Sequence, residues 1–220
     1  MANGTAVADC AAMRKHRTAL TSLIALVVFV APAWLAAMAW AGAPTEQLKN
    51  KVDQVIKVLD DPTLKDRPDD RRAQVRKIAA EIFDYPDTAR RALGPHWNAR
   101  TPQEKDDFTR LFSDLLDRSY MSKIDLYQGE KVKYAGESIN GSEAIVKTLI
   151  ATKSGQELPV DYRMHERNGQ WRVYDVVIEG VSLISNYRTQ FNKIVQTESY
   201  DALVQKLKSR GAPAASPGSR

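Results

Sequence analysis

The sequence predicts an α+β fold in which helices pack on one face of a curved, four-stranded antiparallel sheet. Amphipathic helical patterns occupy the chain from Pro44 to Tyr127. Four strand-like segments follow, separated by three short turn sequences, and helical patterns return after Gly180. Consecutive strands joined by hairpin turns are typical of an antiparallel sheet, whereas a parallel sheet would need a helix between each pair of strands.

The first 41 residues have the pattern of a secretory signal peptide. Basic residues lie at positions 14–17, and no charged residue occurs from Thr18 to Thr45. The apolar run ends in the small residues Ala39 and Ala41, so we expect cleavage after Ala41 and export of the protein. An uncleaved membrane anchor is the alternative, because the uncharged run is long enough to span a bilayer.

The remaining chain has a mildly basic surface and contains no cysteine. It carries 29 basic and 26 acidic side chains, a net charge of +3, which is too small an excess to indicate a nucleic-acid-binding protein. Because Cys10 is the only cysteine, a disulfide and a cysteine nucleophile are excluded from the exported part. We expect one folded domain over residues 42–209 and a disordered tail over residues 210–220, which are of low complexity.

Two helices are predicted before position 86. The first begins at Pro44, and a polar connection with two prolines follows it. The second begins near Asp69 and is expected to end before Tyr85, because Pro86 disfavours helix for the residue that precedes it.

Local capping signals predict the next two helices. In the segment "DTARRALG", Asp87 is the expected N-cap and Gly94 the C-terminal stop. The long helix that follows begins with Thr101 as N-cap, Pro102 at the first helical position and Glu104 at the third, which is a capping box.

Four strands are predicted between residues 131 and 180. They cover 131–139, 143–153, 158–167 and 171–180, and the turn sequences between them contain Asn140-Gly141, Ser154-Gly155 and Asn168-Gly169. After Gly180 the apolar residues recur at helical spacing, and Ser199 is the expected N-cap of a last helix.

No pattern of catalytic residues stands out in the exported part. His96 lies in a turn sequence, and His165 alternates with two arginines on a strand and is expected to face solvent. Asp175 is the best candidate for a general base, because its neighbours in the strand are apolar; the alternative is a structural carboxylate that accepts hydrogen bonds, for example from Arg188. The sequence also lacks a carboxylate cluster suited to a metal, and we expect no cofactor.

Four segments resemble, in the same order, the MlaC family of periplasmic phospholipid-binding proteins, also known as toluene-tolerance or ABC-transporter auxiliary proteins. They are "FDYPDTARRALGPHW", "TPQEKDDFTRLFSDLLDRSY", "YQGEKVKY" and "VYDVVIEGVSLISNYRTQF". The resemblance extends over roughly residues 44–209. It implies a cone-shaped fold related to nuclear transport factor 2, with an apolar pocket that holds the acyl chains of a glycerophospholipid.

The resemblance further implies a monomeric carrier that moves lipid between an inner-membrane ABC-transporter complex and an outer-membrane lipoprotein complex. A related branch of the family implies a hopanoid or another polycyclic lipid as the cargo instead. The pattern does not fix which face of the last strand points inward. The candidate pocket residues are Phe112, Leu115, Leu116, Ile124, Tyr174, Val176, Ile178, Val181, Ile184, Tyr187 and Phe191.

Two other functions remain open from the sequence. Cone-shaped folds also occur in isomerases and dehydratases, in which an Asp inside the cone acts with a Tyr or His, and Asp175 is the residue that would take this role. A structural or adaptor protein with a filled core is the third possibility. The orientation of Asp175 and the presence of a cavity distinguish the three.

Overall fold

A computed structural model describes residues 44–124, 126–152 and 155–209. The predicted signal peptide at 1–41 and the predicted tail at 210–220 lie outside these residues. Six helices are described: α1 (Pro44–Leu59), α2 (Pro68–Ile82), α3 (Tyr85–Leu93), α4 (Pro102–Ile124), α5 (Leu183–Thr197) and α6 (Tyr200–Lys208). Within the described ranges, no helix combines the length and the apolar character needed to cross a membrane.

The predicted start of α4 is confirmed in detail. The Thr101 N–H donates to Glu104 Oε2 at 2.7 Å, and the Glu104 N–H donates to Thr101 Oγ1 at 3.2 Å, so the two residues form the expected capping box. The Ser199 hydroxyl accepts a hydrogen bond from the N–H of Ala202 as the N-cap of α6, and Gly94 follows the last residue of α3.

The predicted start of α3 is wrong by three residues. Asp84 is the N-cap, and its side chain accepts a hydrogen bond from the Asp87 N–H at 2.9 Å. Tyr85 and Pro86 therefore belong to the helix, because a proline in the first turn lacks only an N–H that would have no partner within the helix. Asp87 lies inside the first turn and is buried.

The sheet is an antiparallel meander of five strands in chain order. The strands are β1 (Lys131–Asn140), β2 (Glu143–Ala151), β3 (Glu157–Arg167), β4 (Gln170–Ile178) and β5 (Val181–Ser182). A bulge in β4 breaks the register between β3 and β4, because Arg163 pairs with Asp175 whereas Met164 pairs with Val173. The extra residue in β4 is Tyr174.

The fifth strand is the difference from the predicted sheet. Glu179 and Gly180 both have positive φ, +50° and +79°, and they form a two-residue turn after β4. A two-residue turn of this kind reverses the chain and pairs the residues on either side of it, here Ile178 with Val181. The chain thus forms a short hairpin before α5 begins at Leu183.

Apolar side chains are buried in two clusters. The first, here called the helical core, lies among α3, α4, α5 and α6 and contains Ala89, Ala92, Leu93, Phe108, Leu111, Phe112, Leu115, Ile184, Tyr187, Phe191, Tyr200, Leu203 and Leu207. The second joins α1 and α2 to the sheet and contains Leu48, Ile82, Ala144, Val146, Met164, Trp171 and Val173.

Candidate functional site: an apolar cavity on the sheet

An apolar cavity of about 620 Å³ lies over one half of a sheet face. Across β2, β3 and β4, Val146 pairs with Tyr162 and Tyr162 pairs with Val176. One step along, Thr148 pairs with Val160, and Val160 pairs with Ile178. Side chains at alternate positions share a face of the sheet, so these residues form one surface. The sheet contributes Ile150, Leu158, Val160, Tyr162, Tyr174, Asp175, Val176 and Ile178 to the cavity wall.

The other half of the same sheet face is filled by side chains. Ala144, Met164 and Val173 pair across β2, β3 and β4 and pack in the cluster that includes Leu48 of α1 and Ile82 of α2. The cavity therefore begins where the cover provided by these two helices ends.

Helices close the remaining sides of the cavity. The wall includes Ala79 of α2 and Phe83 after it, Tyr85 and Thr88 of α3, Leu116, Asp117, Ser119, Tyr120 and Met121 of α4, and Leu183 and Ile184 of α5, together with Glu179 of the turn. Most of these side chains are apolar or aromatic. The volume lies within the range of about 300–1,000 Å³ that is typical of small-molecule sites.

Five of the predicted pocket residues line the cavity: Leu116, Tyr174, Val176, Ile178 and Ile184. Four others belong to the helical core instead, namely Phe112, Leu115, Tyr187 and Phe191. Their place in a cavity wall, expected from the sequence, is therefore corrected.

The remaining two predicted residues are Val181 and Ile124. Val181 is 44% exposed and is not among the residues that line the cavity, although it pairs with Ile178, which does line it. Ile124 ends α4, but its side chain is outside those that the structure describes.

The contributions of α2, α3, β2 and β3 to the wall were not predicted from the sequence. Ile150, Leu158, Val160 and Tyr162 are the clearest of these. Their alternation along two neighbouring strands was visible in the sequence. However, alternation identifies a shared face and not whether that face meets a helix or open space.

Asp175 borders the cavity, and its carboxylate is held by three protein donors. It is buried and accepts hydrogen bonds from Ser182 Oγ at 2.6 Å, from the Ile184 N–H at 3.1 Å and from Arg163 Nη1 at 3.2 Å. The expected partner Arg188 is thus replaced by Arg163. These bonds fix the carboxylate to the β5 strand and to the start of α5, which is how a buried charge is compensated.

A second buried carboxylate, Asp87, organises a network of charged groups. Its Oδ1 accepts from Arg90 Nε at 2.9 Å, and its Oδ2 accepts from Arg91 Nε at 2.6 Å. Burial opposes ionisation of Asp87, but the hydrogen bonds from Arg91 and Arg90 outweigh it together and lower the pKa of this carboxyl. Arg91 also lies over the ring of Tyr174, with 3.8 Å from Cζ to the ring centroid, and so supports a residue of the cavity wall.

His165 belongs to the same network, contrary to the expectation that it faces solvent. It is buried, and its Nε2 lies 2.9 Å from Asp84 Oδ2. Arg167 Nη1 lies 3.1 Å from the same oxygen. The partner of His165 comes from the N-cap of α3, 81 residues away in the chain, so this contact depends on the tertiary fold.

Tyrosines at the wall of the cavity remain un-ionised at neutral pH. Burial raises the pKa of Tyr162 to about 12. Burial, followed by the nearby carboxylate of Asp117, raises the pKa of Tyr85 to about 12 against the opposing effect of Arg76. The wall therefore carries neutral phenols beside its apolar groups.

In the described part of the chain, no group of three or more His, Cys, Asp or Glu side chains is arranged to hold a metal ion. The arrangement as a whole suits enclosure of an apolar molecule, since its buried charges are already paired with protein groups.

Comparison with known proteins identifies the family. The model of the family described as MlaC protein matches residues 49–209. The chain belongs to the MlaC family. This result confirms the family resemblance of the four sequence segments.

Two curated proteins are similar to parts of this MlaC-family chain at low sequence identity. It is 20% identical over 149 residues to the intermembrane phospholipid transport system binding protein MlaC of Haemophilus influenzae, covering 66% of this chain and 70% of that protein. It is 24% identical over 102 residues to the toluene tolerance protein ttg2D of Pseudomonas putida, covering 46% of this chain and 47% of that protein.

A solved structure has the same fold. It is the phospholipid-binding protein from Ralstonia solanacearum in complex with a phospholipid, with a TM-score of 0.71 and 24% identity, covering 80% of this chain and all of that one. At this identity the likeness establishes the α+β fold of the MlaC-family chain.

Proposed function

We propose that this protein is a periplasmic phospholipid carrier that encloses acyl chains in the cavity on the sheet. The observation that carries the proposal is an apolar cavity of about 620 Å³ in a chain of the MlaC family. The names of the relatives support it, since one is a phospholipid transport system binding protein and another structure contains a bound phospholipid.

The physical task of such a carrier is to replace the bilayer around an acyl chain. Each buried methylene contributes about 0.8 kcal/mol, so transfer of one sixteen-carbon chain from a membrane into water costs roughly 12 kcal/mol. An apolar cavity removes most of this cost, and it also lets the lipid leave again because the two environments are similar. Neither binding nor release requires a nucleophile, so we infer a carrier and not an enzyme.

The proposed route connects an inner-membrane ABC-transporter complex with an outer-membrane lipoprotein complex. The signal-peptide pattern of the first 41 residues supports export to the compartment between them. In this proposal a net direction of transport comes from ATP hydrolysis by the partner complex.

Lipid analysis of the purified protein tests the proposal. The protein is expressed from residues 1–220, purified without detergent and analysed by native mass spectrometry, and the bound molecules are extracted and identified. We expect a monomer with stoichiometric phospholipid and an N-terminus after Ala41. If the bound molecule is a polycyclic lipid, the protein is still a carrier but its cargo is not a phospholipid. A protein that neither carries nor takes up any lipid would refute the proposal.

A matched pair of variants connects lipid binding to the cavity. Ile150→Trp places a large side chain in the cavity and should reduce bound phospholipid at least severalfold. Leu149→Trp makes a similar change on the opposite face of the same strand and should leave bound lipid unchanged. Equal lipid content in the two variants would mean that the lipid does not bind in this cavity.

A further inference from the structure

The apolar cavity has a polar boundary on α4. Asp117 and Met121 line both the cavity and a second space of about 480 Å³, and the other side chains that line this second space are all charged. Asp117 accepts a hydrogen bond from Arg76 Nε at 2.5 Å, so an ion pair stands at the boundary. An apolar chamber that ends at charged side chains matches an amphiphile, in which the linkage between chains and head lies at the same kind of boundary.

Ser119 lies on α4 between these two boundary residues, and it also lines the cavity. A serine inside a helix often donates to the carbonyl oxygen four residues earlier, as Ser113 Oγ does to Thr109 at 2.8 Å. The hydroxyl of Ser119 makes no such bond, and it has no hydrogen-bond partner within residues 44–124, 126–152 and 155–209. It is therefore available to a molecule in the cavity.

Tyr85 of α3 provides a second hydroxyl at this boundary. It lines the cavity, and its ring is stacked on that of Phe83 with 6.1 Å between the centroids. Burial, followed by the carboxylate of Asp117, raises the pKa of Tyr85 to about 12, so the phenol keeps its proton and lies near that carboxylate. In the described part of the chain its hydroxyl has no hydrogen-bond partner either.

Two further hydroxyl groups of the wall already bond to the protein. Thr88 Oγ1 donates to the carbonyl oxygen of Tyr174 at 3.2 Å. The hydroxyl of Tyr120 shares a hydrogen bond with that of Tyr187 in the helical core. Neither group can donate to a ligand without losing the bond that it has.

The remaining two hydroxyl groups of the wall lie on the sheet. Burial alone raises the pKa of Tyr162, so no charged group acts on this phenol. Burial and then Glu143 raise the pKa of Tyr174, whose ring lies under Arg91. Unlike the phenol of Tyr85, these two are not influenced by Asp117, so they lie away from the polar boundary.

We propose that Tyr85 and Ser119 donate hydrogen bonds to the ester carbonyls of the bound lipid, so that the carrier prefers ester-linked lipids to ether-linked ones. This assignment rests on the proposed carrier function and adds the linkage class of the cargo. In a glycerophospholipid the two ester groups join the chains to the glycerol, where the apolar part gives way to the polar head. The two hydroxyls occupy the corresponding place in the wall.

The physical reason for a preference is the cost of burying a carbonyl group without a donor. At the surface of a bilayer the ester carbonyls are hydrated, and they lose this water when the lipid enters an apolar cavity. A protein hydroxyl replaces the lost water. An ether-linked lipid has no carbonyl and leaves both donors unpaired, and a site built around such donors discriminates against an analogue that lacks the acceptor.

A competition between two lipids that differ in this linkage tests the assignment. The purified protein is incubated with an excess of phosphatidylglycerol vesicles in which half of the lipid has two ester-linked chains and half has two ether-linked chains of the same length. The lipid that the protein takes up is quantified by mass spectrometry. We expect the diester to exceed the diether about threefold, a modest factor because water can reach the boundary and bond to unpaired groups.

Removal of the two hydroxyls should abolish the preference. In the Tyr85→Phe/Ser119→Ala double variant the ratio of diester to diether should fall to about one or below, because the carbonyls then lose their water without gaining a donor. Each single variant should lower the ratio partway. Tyr85→Phe keeps the ring that stacks on Phe83, and Ser119→Ala introduces a better helix former, so both proteins should fold.

Matched substitutions away from the cavity serve as controls. Ser113→Ala removes a hydroxyl from the same helix, and Tyr200→Phe removes a phenol that donates to the carbonyl oxygen of Glu104 at 3.2 Å. Both variants should keep the wild-type ratio and the wild-type amount of bound lipid.

The possible failures are distinguishable. If the wild-type protein takes up neither lipid, both the carrier function and this assignment are refuted. If it takes up both lipids equally, or prefers the diether, the carrier function stands and the ester assignment is refuted. A preference that persists in the double variant would also refute the assignment, because other groups would then recognise the ester.

Discussion

Phe112 and Leu116 lie one turn apart on α4, and their surroundings differ. Phe112 contacts three rings of the helical core, with centroid distances of 6.0 Å to Phe108, 5.1 Å to Tyr187 and 5.4 Å to Phe191. Leu116 lines the cavity of about 620 Å³. Both residues belong to one apolar stripe in the sequence. One part of this stripe packs in a filled core, and the other part lines an open cavity.

The same division occurs along the neighbouring helices. In α3, Thr88 lines the cavity, whereas Ala89 and Leu93 are buried in the helical core. In α5, Leu183 of the first turn lines the cavity and Tyr187 fills the core one turn later. The helical core thus fixes the positions of the helices that form the cavity wall, and the cavity can stay open because its wall is rigidly supported from behind.

The largest expected effect contrasts two adjacent leucines of α4. Leu115 is buried in the helical core, so Leu115→Ala should lower the free energy of unfolding by about 3 kcal/mol, through lost transfer energy and a new cavity. Leu116→Ala should cost only about 1 kcal/mol, because part of that side chain already faces open space. Urea unfolding of the lipid-free proteins measures both values.

The reverse pattern is expected for lipid retention. Leu116→Ala should weaken it, whereas a folded Leu115→Ala protein should retain lipid. Equal unfolding costs for the two variants would mean that the chamber collapses in solution when it is empty, and the contrast between core and cavity would then be wrong.

Features of the fold that depend on neighbouring residues were predictable from the sequence. The capping box of Thr101 and Glu104 needs only residues within one helical turn, and the turn at Asn168-Gly169 needs two residues that tolerate positive φ. The turn before β5 was missed because Glu179 adopts a φ of +50°, which is uncommon for a residue other than glycine.

The residues of the candidate site were less predictable, because membership of the wall depends on whether each side chain contacts another side chain or faces the cavity. Leu116, Val176 and Ile178 line the cavity, whereas Phe112 and Tyr187, which the sequence did not distinguish from them, lie in the helical core. A sequence records that a side chain is apolar, but the tertiary fold decides whether it meets another side chain or a void. His165 was misplaced for the same reason, since Asp84 reaches it only in the folded chain.

A second prediction concerns the network behind Tyr174. Asp87→Asn keeps the shape of the side chain but removes the charge that holds Arg90 and Arg91, and it should cost about 2 kcal/mol in unfolding free energy. Arg91 would then hold the ring of Tyr174 less firmly, so lipid retention should also decrease. A variant that loses stability and still retains all its lipid would separate this network from the cavity.

The cost of Asp87→Asn should depend on pH. The folded state lowers the pKa of Asp87 below the usual value of 3.8, so its ionised form stabilises the protein fully above about pH 4. This contribution is lost as the pH falls through the lowered pKa. The difference in unfolding free energy between wild type and variant should therefore be constant near neutral pH and shrink below pH 4, and a difference that grows on acidification would contradict the assigned charge.

The smallest expected effect compares two N-cap serines. Ser182 Oγ accepts from the Ser185 N–H at 3.0 Å and donates to Asp175 at 2.6 Å, and Ser199 Oγ accepts from the Ala202 N–H at 3.0 Å. Replacing either serine by Ala should cost about 1 kcal/mol in unfolding free energy. The two helices that they cap differ in position, because α5 begins at the cavity wall whereas α6 packs in the helical core.

Lipid retention should therefore distinguish the two variants although their stabilities are similar. Loss of the Ser182 hydroxyl removes one of the two hydrogen bonds to Asp175 Oδ2, which keeps the bond from Arg163, and loosens the first turn of α5. Bound lipid should therefore exchange faster with added vesicles. Ser199→Ala should exchange lipid at the wild-type rate. Equal exchange rates in the two variants would mean that the start of α5 does not control access to the cavity, and the wall would then be held by the helical core alone.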